Sequence, residues 1–304
     1  MDPPWSLRIE DHAPLSLVAM VRGEAWVVPD DAEPSRLGSG DIAIIRGPEP
    51  YTFADDPATP PQVVIHPGQR CTTLDGHDLA QAMDLGVRTW GNDRDGASVM
   101  LIGTYEKHSA ISQRLLAALP ALAVVEKHTW ESPLIPLLAD EIVKDDPGQE
   151  VVLDRLLDLL LVASLRVWLA RPEAEAPAWY RAHADPVVGK AMGMLQHNPA
   201  HPWTVASLAA EIGMSRAALA RRFTDLVGEP PMTFLTGWRL ALAADLLSEP
   251  DLTIGAVARE VGYGSPFALS AAFKRAYGVS PRQHRLGAGS VPRSAASTVR
   301  GSGS

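Results

Sequence analysis

Two kinds of hydrophobic pattern divide the chain. Up to about residue 105 the apolar residues come in short runs, broken by Gly, Pro and Asp. Leu15, Leu17, Ala19 and Val21 alternate through LSLVAMV, and Gly23 turns the chain into EAWVV. GSGDIAIIRGPEP reads as turn, strand and turn, and QVVIHPG and ASVMLIGTY as further short strands. Many short strands separated by turn residues predict an antiparallel barrel or sandwich. Beyond Tyr105 the period becomes helical. ISQRLLAALPALAVV is apolar at helical spacing up to Pro120, and SPLIPLLADEIVKD predicts a helix from near Ser132 with Pro133 in its first turn. EVVLDRLLDLLLVASLRVWLA predicts the longest helix, with Leu153, Leu157, Leu160, Ser164 and Val167 on one stripe. Leu156, Leu159 and Ala163 widen that stripe beyond a surface helix's usual apolar face. The pattern therefore predicts burial on two sides, with Leu153, Leu157 and Leu160 in a seam with a second copy.

RPEAEAPAWYRAHA, residues 171–184, is rich in Ala, Pro and charge and reads as a linker. Asp185-Pro186 opens a wholly helical stretch, and residues 287–304 read as a disordered Gly/Ala/Ser tail. The expected division is a strand domain over 1–125, a helical dimerisation segment over 126–170, the linker, a helical module over 185–286 and the tail. The fold class is α+β.

Composition narrows the function. With 304 residues and 46% apolar content, a core forms without staples, and a single cysteine, Cys71, excludes an internal disulfide. The start lacks a signal peptide's basic and apolar regions, and the longest apolar stretch is broken by charges. A cytoplasmic protein that does not enter membranes is expected. The charge is asymmetric. Residues 186–304 hold 12 Lys+Arg against 7 Asp+Glu, whereas residues 1–185 hold 15 against 29. An acidic front and a basic back fit a regulatory domain joined to a nucleic-acid-binding one.

An internal repeat carries the function. LAAEIG (208–213) matches VAREVG (257–262) at an offset of 49, and Phe223, Gly228 and Pro231 match Phe273, Gly278 and Pro281 at an offset of 50. Each copy has helix-turn-helix logic. Thr204 and Thr253 cap a short helix, Gly213 and Gly262 close it, and Ser215 and Ser265 cap the next. The second helices have apolar sides (Leu219, Phe223, Leu226; Leu269, Phe273, Tyr277). Their other sides carry Arg216, Arg221 and Arg222, or Ser270, Lys274 and Arg275. Such a unit can enter a DNA major groove.

These segments, over residues 186–285, resemble the AraC/XylS family of transcription regulators. The resemblance implies two helix-turn-helix units joined by a rigid helix, here about Met232 to Leu247. Their reading helices would enter successive major grooves of double-stranded promoter DNA. RNA polymerase is implied as a further partner. Carried over, Ala217, Ala220 and Arg221 face bases, and Arg221 is the candidate guanine reader. Arg216 and Arg222 are candidate phosphate contacts, aided by backbone N–H groups at Thr204 and Ser215. In the second unit Ser265 caps, and Pro266, Phe267, Ser270 and Ala271 face the groove. Lys274 and Arg275 meet phosphates. Trp238, Phe223, Phe273 and Tyr277 are expected in cores.

The front resembles the cupin-type sensor domain of such regulators. Trp26, Tyr51, Phe53 and His66 are the candidate pocket for an unknown small-molecule effector. No cofactor is expected. His-x-His is absent, Tyr51 stands where a metal-binding cupin often has histidine, and only His12, His66 and His77 are scattered there. Arg70 beside Cys71 would lower that thiol's pKa. No Gly-x-Ser-x-Gly, Walker or His-Glu-x-x-His motif occurs, so no enzyme is expected. A DNA-tethered cupin enzyme, or a constitutive regulator whose barrel only scaffolds a dimer, stand as the alternatives.

Overall fold

The computed structural model describes residues 1–86, 89–93, 95–105, 116, 118–144, 146–171, 176–249 and 251–288. The described residues up to 171 form one compact unit and those from Ala176 onward a second.

The first unit is built on two sheets. One is six-stranded in the order β4-β3-β6-β1-β7-β8, from Ser6–Ile9 (β1), Glu24–Pro29 (β3), Ser35–Gly38 (β4), Tyr51–Ala54 (β6), Val63–His66 (β7) and Arg70–Thr73 (β8). The other is four-stranded in the order β11-β2-β5-β12, from Leu15–Arg22 (β2), Ile42–Arg46 (β5), Val99–Tyr105 (β11) and Leu122–Val125 (β12). Asp84–Gly86 (β9) and Thr89–Trp90 (β10) make a small hairpin. All the pairings are antiparallel except β1 with β7. The strands form two facing sheets, the sandwich of the two forms expected, and no closed barrel occurs among the described residues.

Trp5, Leu7, Val27, Phe53 and Ile65 of the six-stranded side share one core with Val18, Met20, Ala43 and Ile45 of the four-stranded side. The opposite face of the smaller sheet is also buried, at Leu17, Ala19, Ile42, Ile44, Ala123 and Val125. Helices Leu134–Ile142 (α1) and Gln149–Leu169 (α2) contact that sheet through β2 and β12. This is why β2 is buried at every position from Leu15 to Met20. Its apparent alternation was one half of a continuous run, as in any strand covered on both faces. Gly23, at φ +75°, is the corner where the chain leaves one sheet for the other. A Cβ there would lie 2.5 Å from the Ala97 carbonyl oxygen. After Pro120, where the helical pattern stops, residues Leu122–Val125 form β12. The part of that pattern at 111–115 and 117 lies outside the described residues.

Gln149 was not singled out by sequence. It is buried, and its amide donates to the carbonyls of Glu141 (2.9 Å) and Ile142 (3.2 Å), tying α2 to the end of α1. The predicted helix from Ser132 starts two residues later, with the Ser132 hydroxyl accepting from the Leu134 amide.

The second unit is all helical: Ala178–Ala182 (α3), Val188–His197 (α4), Val205–Ile212 (α5), Arg216–Val227 (α6), Pro231–Leu247 (α7), Ile254–Glu260 (α8), Pro266–Tyr277 (α9) and Pro281–Ala288 (α10). The segment expected as linker contains α3. Ala182 is buried in the core of this unit and Trp179 packs against it, so the module reaches further forward than residue 185. The expected tail from 289 on lies outside the described residues. No helix among the described residues is long and apolar enough to cross a membrane.

Candidate nucleic-acid interface

The first helix-turn-helix is fixed by short-range chemistry. The Thr204 hydroxyl accepts from the Ser207 amide (3.0 Å), and the Ser207 hydroxyl accepts from the Thr204 amide (2.9 Å). This reciprocal box satisfies donors that a helix start otherwise leaves open. It also occupies the Thr204 N–H, which sequence reasoning assigned to a phosphate. Gly213 ends α5 in the left-handed region, at φ +78°. The Ser215 hydroxyl then accepts from the Ala218 amide (3.2 Å) and starts α6. Leu219, Phe223 and Val227 of α6 are buried with Leu208, Ala209 and Phe234. Arg216, Ala217 and Arg221 are exposed, and Ala220 is half-buried.

Arg222 departs from expectation. Its guanidinium grips Asp185 at 2.6 Å and 3.2 Å, while that carboxylate also accepts from the Val187 and Val188 amides. The Arg222 hydrogen bond foremost, and the Val188 amide next, hold the Asp185 carboxyl below the usual aspartate range. Arg222 is therefore spent inside the module, joining α6 to the start of α4, and is not a free phosphate contact.

The second unit repeats the design. The Thr253 hydroxyl accepts from the Ala256 amide (3.1 Å) and the Ser265 hydroxyl from the Ala268 amide (3.2 Å). Between them Gly262 takes φ +79°. Leu269 and Phe273 are buried with Val257, Ala258 and Leu247. Pro266, Phe267, Ala271, Lys274 and Arg275 are exposed, and Ser270 is half-buried. Tyr277, expected in the core, is 39% exposed and stacks at its edge, 4.6 Å from the Phe273 ring centre. Trp238 is half-buried, short of the full core position expected.

One helix serves both cores. Phe234 and Leu235 of α7 enter the first, whereas Leu240, Ala243, Ala244 and Leu247 enter the second. Between them lies Arg239, which sequence reasoning missed. Its Nε donates to the Pro199 carbonyl (2.7 Å) and Nη2 to that of His201 (2.9 Å). Burial lowers its pKa. A Cβ on Gly262 would lie 2.7 Å from Ala200 Cα and 3.0 Å from Arg239 Nη2. The turn of the second unit thus lies against the loop that leads into the first, and Arg239 fastens that loop to α7. Arg285 plays a similar part at the far end of α7, donating to the Leu247 (3.1 Å) and Leu252 (2.6 Å) carbonyls. The only sequence signal for Arg239 was a lone cation inside the apolar run LTGWRLALA.

In the first unit the candidate effector residues do not converge. Val27, Phe53, Leu7 and Val63 lie in register across the larger sheet. Phe53, and Tyr51 two residues before it, point into the shared core. Burial raises the Tyr51 phenol well above its ordinary pKa. Trp26 and His66 occupy the alternate positions and face the other way, half-buried, with His66 hydrogen-bonded to the Thr72 hydroxyl (2.9 Å). His12 meets the Pro48 carbonyl and His77 meets Asp75, so the three histidines stay apart. Among the described residues no group of three or more His, Cys, Asp or Glu is placed to hold a metal ion. Burial, and then Asp78, raise the Cys71 thiol's pKa, the reverse of what Arg70 suggested.

The residues expected in a dimer seam do not all lie at the surface. Leu153 and Leu160 are buried within the subunit, and Leu157 packs toward Gly103 of β11. The exposed apolar residues of α2 are their neighbours Val151, Val152, Leu159 and Val162.

Known proteins match this two-part architecture. A family described as Cupin matches residues 1–170, and one described as Helix-turn-helix domain matches 208–286. Over 287 residues the chain is 32% identical to a putative AraC-like transcription regulator of Streptomyces lividans, covering 92% of this chain and 90% of that one. The chain belongs to the AraC family of transcription regulators. Its helical unit is the DNA-binding part of an AraC-type regulator, and its two-sheet unit is the cupin part. Other relatives are the HTH-type transcriptional regulator AlkR of Acinetobacter baylyi and the RCS-specific HTH-type transcriptional activator RclR of Escherichia coli K12. AlkR is 29% identical, over 92% of this chain and 90% of AlkR. RclR is 27% identical, over 87% of this chain and 90% of RclR. Among solved structures, the DNA-binding domain of AdpA in complex with a target DNA matches 33% of this chain and 91% of that one, at 32% identity and a TM-score of 0.32. The relatives are named regulators, not enzymes.

Proposed function

We propose that this AraC-type regulator reads a promoter by laying α6 and α9 in two successive major grooves, ~34 Å apart along one face of DNA. The observation that carries this is the outward face of α6. Arg216 and Arg221 are exposed opposite Leu219 and Phe223, and among the described residues Arg221, unlike Arg222, is in no ion pair. Arg221 then donates a bidentate pair to guanine, while Arg216, Lys274 and Arg275 meet phosphates. Arg222 is not in this set, because Asp185 already holds it.

Site selection from random duplexes, at stated salt, is the test. An enriched pair of half-sites one helical turn apart is expected. Arg221→Ala should then cost ~1–3 kcal/mol and relax one base pair. Equal loss on all sequences would reduce Arg221 to a backbone contact.

The dimer contact that we propose is the exposed strip of α2 around Val152, Leu159 and Val162, against a second copy. Leu159→Lys should halve the mass seen by light scattering, since a lysine would have to be buried in the contact. An unchanged mass removes α2 from the interface. The cupin unit is the sensing part in this reading, and RNA polymerase the partner at the promoter. A small molecule acts there only by favouring one arrangement of the protein over another. Because Tyr51 and Phe53 are core and Trp26 and His66 face the other way, these four residues do not line one pocket.

A further inference from the structure

The two reading helices carry opposite chemistry at equivalent positions. Aligned through Ser215 and Ser265, Arg216 becomes Pro266, Ala217 becomes Phe267, Ala220 becomes Ser270 and Arg221 becomes Ala271. Arg216 and Arg221 are thus replaced by groups without a side-chain donor. A phenyl ring stands where the first helix has a methyl group.

Phe267 is 86% exposed, more than any other large apolar side chain among the described residues. It lies in the first turn of α9, and Ala271 is one turn further on the same side. The module's own core is complete without it, through Leu269 and Phe273. Apolar area left in water adds nothing to folding, so its value lies in whatever covers it. The same helix exposes Lys274 and Arg275, which complement a polyanion better than an apolar protein surface. Along the floor of a major groove, the one apolar group on a base edge is the C5-methyl of thymine.

We propose that Phe267 and Ala271 form a methyl-reading surface, so that the second half-site is chosen by thymine methyls rather than by hydrogen bonds. The inference rests on α9 entering a groove. It makes the operator chemically two-sided: guanine is read by a donor at one end and thymine by contact at the other.

The experiment starts from the duplex selected by the full chain. Thymines of each half-site in turn are replaced by deoxyuridine, which removes only the methyl. Uridine in the second half-site should weaken binding about fourfold per methyl, the worth of one buried carbon. Uridine in the first half-site should change little. Phe267→Ser, at an exposed site that leaves the core intact, should lower affinity for the thymine duplex and abolish the thymine–uridine difference. The two half-sites are assigned by which one Arg221→Ala relaxes.

Equal binding of both duplexes by the unsubstituted protein overturns the proposal. So does a Phe267→Ser protein that keeps the full difference. If Phe267→Ser changes the oligomeric mass and not DNA affinity, the ring covers a protein contact and the proposal also fails. Failure of the groove reading itself looks different: no motif is selected, and Arg221→Ala has no sequence-dependent effect.

Discussion

The two helix-turn-helix units share their insides and differ on their outsides. Leu208, Ala209, Leu219 and Phe223 of the first are matched by Val257, Ala258, Leu269 and Phe273 of the second, and all are buried. Their caps match as well, Thr204 with Thr253 and Ser215 with Ser265. The outward faces diverge at equivalent positions: Arg216 and Arg221 in one are answered by Pro266 and Ala271 in the other, and Ala217 by Phe267. Even the internal clasp differs, because Arg222, held by Asp185, is answered by Ala272, which packs on the second core. The buried set specifies the shape of a reading head, and the exposed set specifies what the head reads. A close-packed interior admits few alternatives, whereas a surface can be rewritten without altering the fold.

The strongest way to break this comparison is to attack the shared core. Phe223→Ala and Phe273→Ala should each cost ~3–5 kcal/mol, as removal of a buried aromatic does. Chemical denaturation followed by circular dichroism would measure it. Because α7 belongs to both cores, each variant should lower the stability of the whole helical unit. A loss confined to one head would show the two to be independent.

A smaller effect tests what holds the heads in phase. Arg239→Ala strips charged donors from two carbonyls and should cost ~1–3 kcal/mol. Its diagnostic sign is on DNA. The native protein should discriminate against duplexes with one extra base pair between half-sites, and the variant should discriminate less. Unchanged spacing preference would reduce Arg239 to a stabilising residue.

The smallest effect should separate the heads by pH. Asp185 has its folded pKa depressed, chiefly by Arg222. Its contribution is therefore present above the ordinary aspartate value of ~3.9 and is lost as pH falls below it. Hydrogen exchange at acid pH should show α4 and α6 loosening before α9, whose Ala272 has no such partner. Asp185→Asn should abolish that order. Loosening of both heads together in the native protein would remove the clasp from the account.

Much of this was legible in the sequence because it is local. A Thr three residues before Ser207, or a Gly directly after α5, has one main physical use, so the caps and turns could be read directly. Arg222 could not, because its partner lies 37 positions away. Nor could Arg239, whose acceptors are backbone carbonyls 38 and 40 positions back. In the cupin unit, the only sequence ground for grouping Trp26 with Phe53 is that both are aromatic and both lie on strands. Register sets them on opposite faces, and a shift of one position is enough to do that. The dimer seam failed for a related reason. A helix apolar over most of its surface does not say which leucines the rest of its own chain will take, and Leu153 and Leu160 went inside.

The helix α7, shared by two cores, sets a constraint on how this protein can vary over generations. One residue inserted into it would move the second head by ~1.5 Å and swing it by ~100°. Both heads would still fold, yet they would no longer meet the same side of the double helix. Changes in what the protein recognises can therefore accumulate one exposed side chain at a time, on either head separately. A change in the length of α7 would have to be matched in a single step by a rearranged operator. The helix works as a gauge block: cutting and lengthening are equally ruinous, while the tools clamped at its two ends are free to be exchanged.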